Sequence, residues 1–157
     1  MVILLRLPRV RWAGLSRPVG GRREFFIVLL IIFLVLLLLL VQVALPGRYL
    51  TAQVGTEAQI GPRDDLPRPS RQLARSRRAL GNLQETLPIF LTLAVLSIVM
   101  GEQGWLSLAG GTVYFVARAL HAYCYMKGLV PWRSVSFLVS PFGNLLLALP
   151  LLPHLWG

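Results

Sequence analysis

Arg75, Arg78, Asn82 and Glu85 follow one another at spacings of 3, 4 and 3, so on a helix they share one face within an arc of about 80°. The stripe leads straight into the apolar segment from Leu87 to Met100, which sets polar chemistry at a membrane surface. A basic flank that touches lipid phosphates would account for the arginines. It does not account for Asn82 and Glu85, because an amide and a carboxylate turned unpaired toward hydrocarbon are costly. A second group, Arg118, His121 and Tyr125, is spaced by 3 and 4 and also shares a helical face. The partner expected for Arg118 is Glu85, since antiparallel neighbours would bring the two together and leave neither charge bare. The third group is Arg133 and Ser134, inside Pro131-Trp132-Arg133-Ser134-Val135-Ser136-Phe137. An interfacial anchor with an N-cap is the plainer reading of that pair.

The elements that must hold these groups are membrane helices. Hydrophobic residues make up 55% of the 157 and charged residues only 14%, a balance that marks an integral membrane protein. Phe25 to Leu45 runs 21 residues without a charge, about the length that crosses a hydrocarbon core of roughly 30 Å. Three further spans are predicted over about 83–100, 105–126 and 135–152, each carrying polar residues for a bundle interior. Short links at 101–104 and 127–133 make consecutive helices antiparallel. The fold class predicted is therefore an all-α, up-down four-helix transmembrane bundle over 24–157. Ser70 is the expected N-cap of a helix that carries the Arg75 stripe into the membrane, with Pro88 placed to bend it. Pro46 to Leu80 is expected to be broken by Gly47, Gly55, Gly61, Pro62, Pro67 and Pro69, with 61–69 a solvated loop. Gly110-Gly111 and Gly143 would let helices pack closely.

Other classes fall away on the same grounds. The net charge of +10 flanks the spans and forms no separate polar domain, so nucleic acid is not an expected partner. Cys124 is the one cysteine and sits inside a span, where it reads as a small packing residue. His121 and His154 have no second ligand at helical spacing, and no metal site is expected. The first span is too long for a cleaved signal, whose apolar core is about 7–15 residues. Spans two, three and four deliver their polar groups to one end of the bundle, which predicts a single polar pocket open to one side.

From about Arg71 to the end, these residues resemble the family of membrane-associated proteins in eicosanoid and glutathione metabolism (MAPEG). The most specific element is Arg75-x-x-Arg78-Ala79-x-x-Asn82-x-x-Glu85, followed by Arg118-x-x-His121-x-x-x-Tyr125 and Arg133-Ser134. The resemblance implies a homotrimer with glutathione, as co-substrate, bound between subunits near the cytoplasmic side. It implies glutathione binding by Arg75, Arg78, Asn82, Glu85, Arg118, His121 and Tyr125, with Arg133 and Ser134 activating the thiol as thiolate. The implied activity is a transferase or peroxidase acting on lipophilic electrophiles in the bilayer. Gly81 stands where some relatives have an arginine, and Thr86 and Phe137 stand where others have tyrosine, so the chain looks like the bacterial-type branch, in an inner membrane. The alternative from another class is a non-catalytic bundle that binds a lipid or a partner helix in the same pocket.

Orientation sets two basic segments against each other. Seven arginines between 46 and 80 and six before Phe25 cannot both be inside. The family arrangement places the 46–80 segment in the cytoplasm and makes residues 1–23 either a nonessential basic extension or a misplaced translation start.

Overall fold

A computed structural model describes residues 21–156. The extension expected at 1–23 lies almost wholly outside the described residues. Four α-helices follow in order: α1 (Arg22–Ile60), α2 (Arg71–Val99), α3 (Trp105–Lys127) and α4 (Val130–Ala148), with a 3-10 tail at Leu149–Leu155. No strand occurs among the described residues.

Three of these helices, α1, α2 and α4 with its tail, are long and apolar enough to cross a membrane. The third expected span, α3, has 23 residues but is more polar, because Ser107, Tyr114, Arg118 and His121 occupy its buried face. His121 and Tyr125 near its end lie beside Arg78 and Asn82 of α2 around one cavity, so α3 runs back antiparallel across the same thickness. The apolar side chains are arranged for lipid. Phe26, Leu30, Phe33, Leu37 and Leu40 form an exposed stripe on α1, while Val28, Ile31, Ile32 and Val35 face inward onto Leu87, Phe90, Ala94, Tyr114 and Leu147. Phe90 and Tyr114 stack face to face at 4.3 Å between ring centres, nearly parallel.

The tightest packing is between α3 and α4. A Cβ placed on Gly110 would lie 2.7 Å from the Gly143 carbonyl oxygen, and one on Gly143 would lie 2.7 Å from both the Gly110 oxygen and the Tyr114 nitrogen. Backbone rests on backbone, as the small residues at these positions suggest.

Two boundaries depart from expectation. The link expected at 127–133 shrinks to Gly128 and Leu129, because Pro131 suits the first turn of a helix and α4 starts at Val130, which puts Ser134 inside the helix and not at its N-cap. The first helix does not end near Pro46; α1 continues through it and Gly47 to Ile60, with a kink at Gly55, whose φ of 81° and ψ of 169° suit only glycine. A single proline removes one backbone bond, and the segment beyond it is held by tertiary contacts. Leu50 is buried, and the Gln53 amide donates to the Arg68 carbonyl at 2.8 Å and accepts from the Ser70 N–H at 2.9 Å. The expected loop therefore shrinks to the residues between Ile60 and Arg71. Pro88 likewise lies inside α2 without ending it.

Gln53 and Ser70 together set where the polar stripe begins. The Ser70 hydroxyl accepts from the Leu73 N–H at 3.3 Å, which is the N-cap expected from its position. Ser70→Ala is expected to lower stability by about 1 kcal/mol, read as a fall in Tm of the detergent-purified protein. An unchanged Tm would mean that Gln53 alone holds the junction.

Candidate functional site

The polar face of α2 begins one turn after the cap and meets the end of α3 and the start of α4. A cavity of about 530 Å³ lies there, lined by Arg78, Gly81, Asn82 and Glu85 from α2, His121 and Tyr125 from α3, and Arg133, Ser134, Phe137 and Leu138 from α4. Seven of the nine site residues expected from the sequence line it: Arg78, Asn82, Glu85, His121, Tyr125, Arg133 and Ser134.

Tyr125 is the centre of the arrangement. The Arg133 guanidinium lies 5.1 Å from its ring centre and that of Arg78 lies 6.0 Å away, so cations from two helices converge on one aromatic ring. Neither arginine has a carboxylate within 4.0 Å among the described residues. Two such charges facing one cavity favour an anionic guest.

His121 joins α3 to α4. Its Nδ1 lies 3.1 Å from the Arg133 carbonyl oxygen, and a carbonyl only accepts, so Nδ1 carries the hydrogen. In the neutral ring Nε2 is then an acceptor, and it is buried without a partner, as is Oδ1 of Asn82. The ring packs edge-on to Tyr125 at 5.5 Å and tilted to Phe137 at 6.1 Å. The cavity thus offers two arginines for anionic oxygens, with the unpartnered acceptor atoms of Asn82 and His121 buried in its wall.

The other two expected residues serve elsewhere. Arg75 donates from Nη1 to the Met126 carbonyl at 3.2 Å, capping the carboxyl end of α3, where a cation is favoured. There Gly128, at a φ of 76°, closes the helix with its N–H on the Cys124 carbonyl, and any side chain at that position would run into the Arg75 guanidinium. Arg118 is almost fully buried, with Nε and Nη1 unpartnered. The expected Arg118–Glu85 ion pair is not formed at 4.0 Å or less. Glu85 is exposed and lines the cavity, whereas Arg118 is buried inside the bundle.

Gly81, Phe137 and Leu138 complete the lining; the sequence alone assigns none of the three a role in the site. Thr86, a departure from relatives, bonds Tyr114 hydroxyl to hydroxyl at 3.0 Å, tying α2 to α3. At the opposite end, His154 Nε2 and Glu102 Oε1 are within hydrogen-bond distance at 3.0 Å. No spacing rule reaches a pair 52 residues apart.

The MAPEG family model matches residues 26–152. The chain belongs to the MAPEG family. MAPEG members are membrane proteins and typically glutathione-dependent transferases or peroxidases, and the helical bundle described above is the family's architecture. A search of curated proteins and a search of solved structures gave no match. The MAPEG match runs from within the first membrane helix into the 3-10 tail, so it includes all ten residues that line the cavity.

Proposed function

We propose that this MAPEG protein is a glutathione-dependent transferase or peroxidase that acts on lipophilic electrophiles. The observation that carries the reading is the convergence of Arg78 and Arg133 on Tyr125, beside the buried acceptors of Asn82 and His121. Glutathione has two carboxylates, an α-amine, two peptide groups and a thiol, and this donor set fits each of them. Arg78 suits a carboxylate through its planar fork, Asn82 suits a peptide group, and Glu85 suits the α-amine. His121 and Tyr125 form the wall between the two arginines. Arg75 and Arg118 contribute through α3, the first by holding its end and the second by raising the positive charge behind the cavity.

Arg133 and Ser134 are assigned to the thiol. A free thiol has a pKa of about 8.5, and a neighbouring cation with a hydroxyl donor favours the thiolate, which is the nucleophile. The thiolate sulfur then forms a bond to the electrophilic carbon while the leaving group departs with its electron pair. Substrates dissolved in the bilayer reach the site without crossing water.

A homotrimer completes the proposal. The unpacked face of α2 runs Arg78, Gly81, Glu85, Pro88, Thr92, Val95 and Val99 at alternating spacings of 3 and 4, the pattern of a helix that packs on other helices. Gln84, Glu85 and Thr92 are exposed there, and polar groups at membrane depth favour protein neighbours over lipid. The arrangement also puts the cavity at the edge of a subunit, on the cytoplasmic side in the family orientation.

Arg78→Ala is expected to weaken glutathione binding by about 10- to 100-fold, the loss of one charge-assisted contact, measured by titration calorimetry in detergent. Equal affinity in the variant would remove Arg78 from the site.

A further inference from the structure

A second concavity lies on the other side of α4. It has a volume of about 330 Å³ and is lined by Thr112, Val113, Val116, Ala117 and Leu120 of α3 and by Trp132, Val135, Ser136 and Val139 of α4. It presents no polar atom: the Ser136 hydroxyl is turned away and donates to the Arg133 carbonyl at 3.0 Å. The two helices touch backbone to backbone at Gly110 and Gly143 and open into this groove toward the end where α4 begins.

We infer that this groove holds one acyl chain of an anionic phospholipid, whose phosphate rests at Lys127. Three observations converge on that occupant. The groove is wholly apolar and faces the hydrocarbon around a membrane bundle, so it suits a chain and excludes a headgroup. The α3 wall continues as Val113, Val116, Leu120, Tyr123 and Lys127 at spacings of 3, 4, 3 and 4, ending in an exposed aromatic and an exposed cation, with Trp132 62% exposed beside it. Tyrosine and tryptophan settle at headgroup level. From Thr112 to Lys127 is 15 residues, about 22 Å of helix, which is half of a bilayer of roughly 40–45 Å with its headgroups.

Charge selects the headgroup. Neither α3 nor α4 contains an aspartate or glutamate, and the same end of the molecule carries Arg71, Arg75, Arg77, Arg78 and Arg133. A phosphate at Lys127 therefore meets no carboxylate from either wall of the groove. The groove and the thiol cavity occupy opposite sides of the first two turns of α4, so the lipid would brace the helix that carries Arg133 without entering the glutathione site.

Native mass spectrometry of the detergent-purified protein, mixed with phosphatidylglycerol or phosphatidylcholine, tests the inference. Phosphatidylglycerol should be retained about fivefold better, the worth of one cation near the surface, and Lys127→Gln should erase that preference. Leu120→Trp, which fills the groove, should cut phosphatidylglycerol retention about tenfold while glutathione binding is unchanged. If that variant loses its helical circular dichroism, Val135→Phe, which fills the groove from α4, is read in its place. Equal retention of the two lipids, or retention indifferent to filling the groove, overturns the inference. So does a change of oligomeric mass in the filled variant, which would make this face an interface between copies.

Discussion

Arg133→Ala is expected to move the pH dependence of glutathione conjugation to the alkaline side by about 1–2 units, the usual effect of removing a cation from beside an ionising group. The sign follows from the thiol. A neighbouring cation stabilises the thiolate and lowers the thiol pKa, so removing it raises that pKa toward the free value of about 8.5 and lowers the thiolate fraction at neutral pH. Activity toward a chromogenic aryl halide should therefore fall about 8- to 25-fold at pH 7 and recover largely as pH rises. Arg133→Lys, which keeps the charge and loses the planar fork, should hold most of the profile in place. Arg133 has a second job, since its carbonyl accepts from His121, but that contact is made by backbone and survives the substitution. A fall in rate with an unshifted profile would place Arg133 in binding and not in thiol activation.

Gly143→Leu is expected to be the most damaging substitution for the fold. The Gly110 carbonyl and the Tyr114 backbone occupy the space that a Cβ at position 143 requires, and backbone cannot rotate away as a side chain can. Overpacking costs typically about 1–3 kcal/mol, and here the whole α3–α4 contact must open, so the loss should reach or exceed the upper end. The opening would spread from the crossing to the thiol cavity, which depends on α3 and α4 keeping their spacing. A fall in Tm with loss of glutathione binding is the expected result. Gly81→Ala is the control, because no heavy atom lies within 4 Å of the added methyl; it should gain up to about 1 kcal/mol from helix propensity. If both variants behave alike, the close crossing does not hold the bundle together.

Much of this arrangement was legible from spacing. Residues 3 and 4 apart share a helical face whatever the surroundings, and short links force neighbouring helices to be antiparallel, so Arg78, Asn82, Glu85, His121, Tyr125 and Arg133 had to arrive at one end. Ser70 was readable as a cap because capping is a local hydrogen bond. The features that escaped depend on contacts distant in sequence. Pro46 and Gly47 are breakers by local rule, yet Leu50 and Gln53 hold the helix beyond them against the loop that leads into α2. Arg75 belongs to the stripe by spacing, but its guanidinium is taken by the end of α3. Arg118 and Glu85 pair only if both reach the same gap, and Glu85 is exposed at the cavity while Arg118 is buried inside the bundle. Helix rotation is a property of packing, and no single helix encodes it.

The ultraviolet difference spectrum on adding glutathione to the purified, detergent-solubilised protein at neutral pH tests the central claim most directly. Arg133 and Ser134 facing a cavity that Arg78 also lines predict a thiolate band that saturates with glutathione and is lost in Arg133→Ala. A folded protein that shows no band at saturating glutathione would contradict thiol activation and favour a non-catalytic bundle holding a lipid or a partner helix in the same pocket.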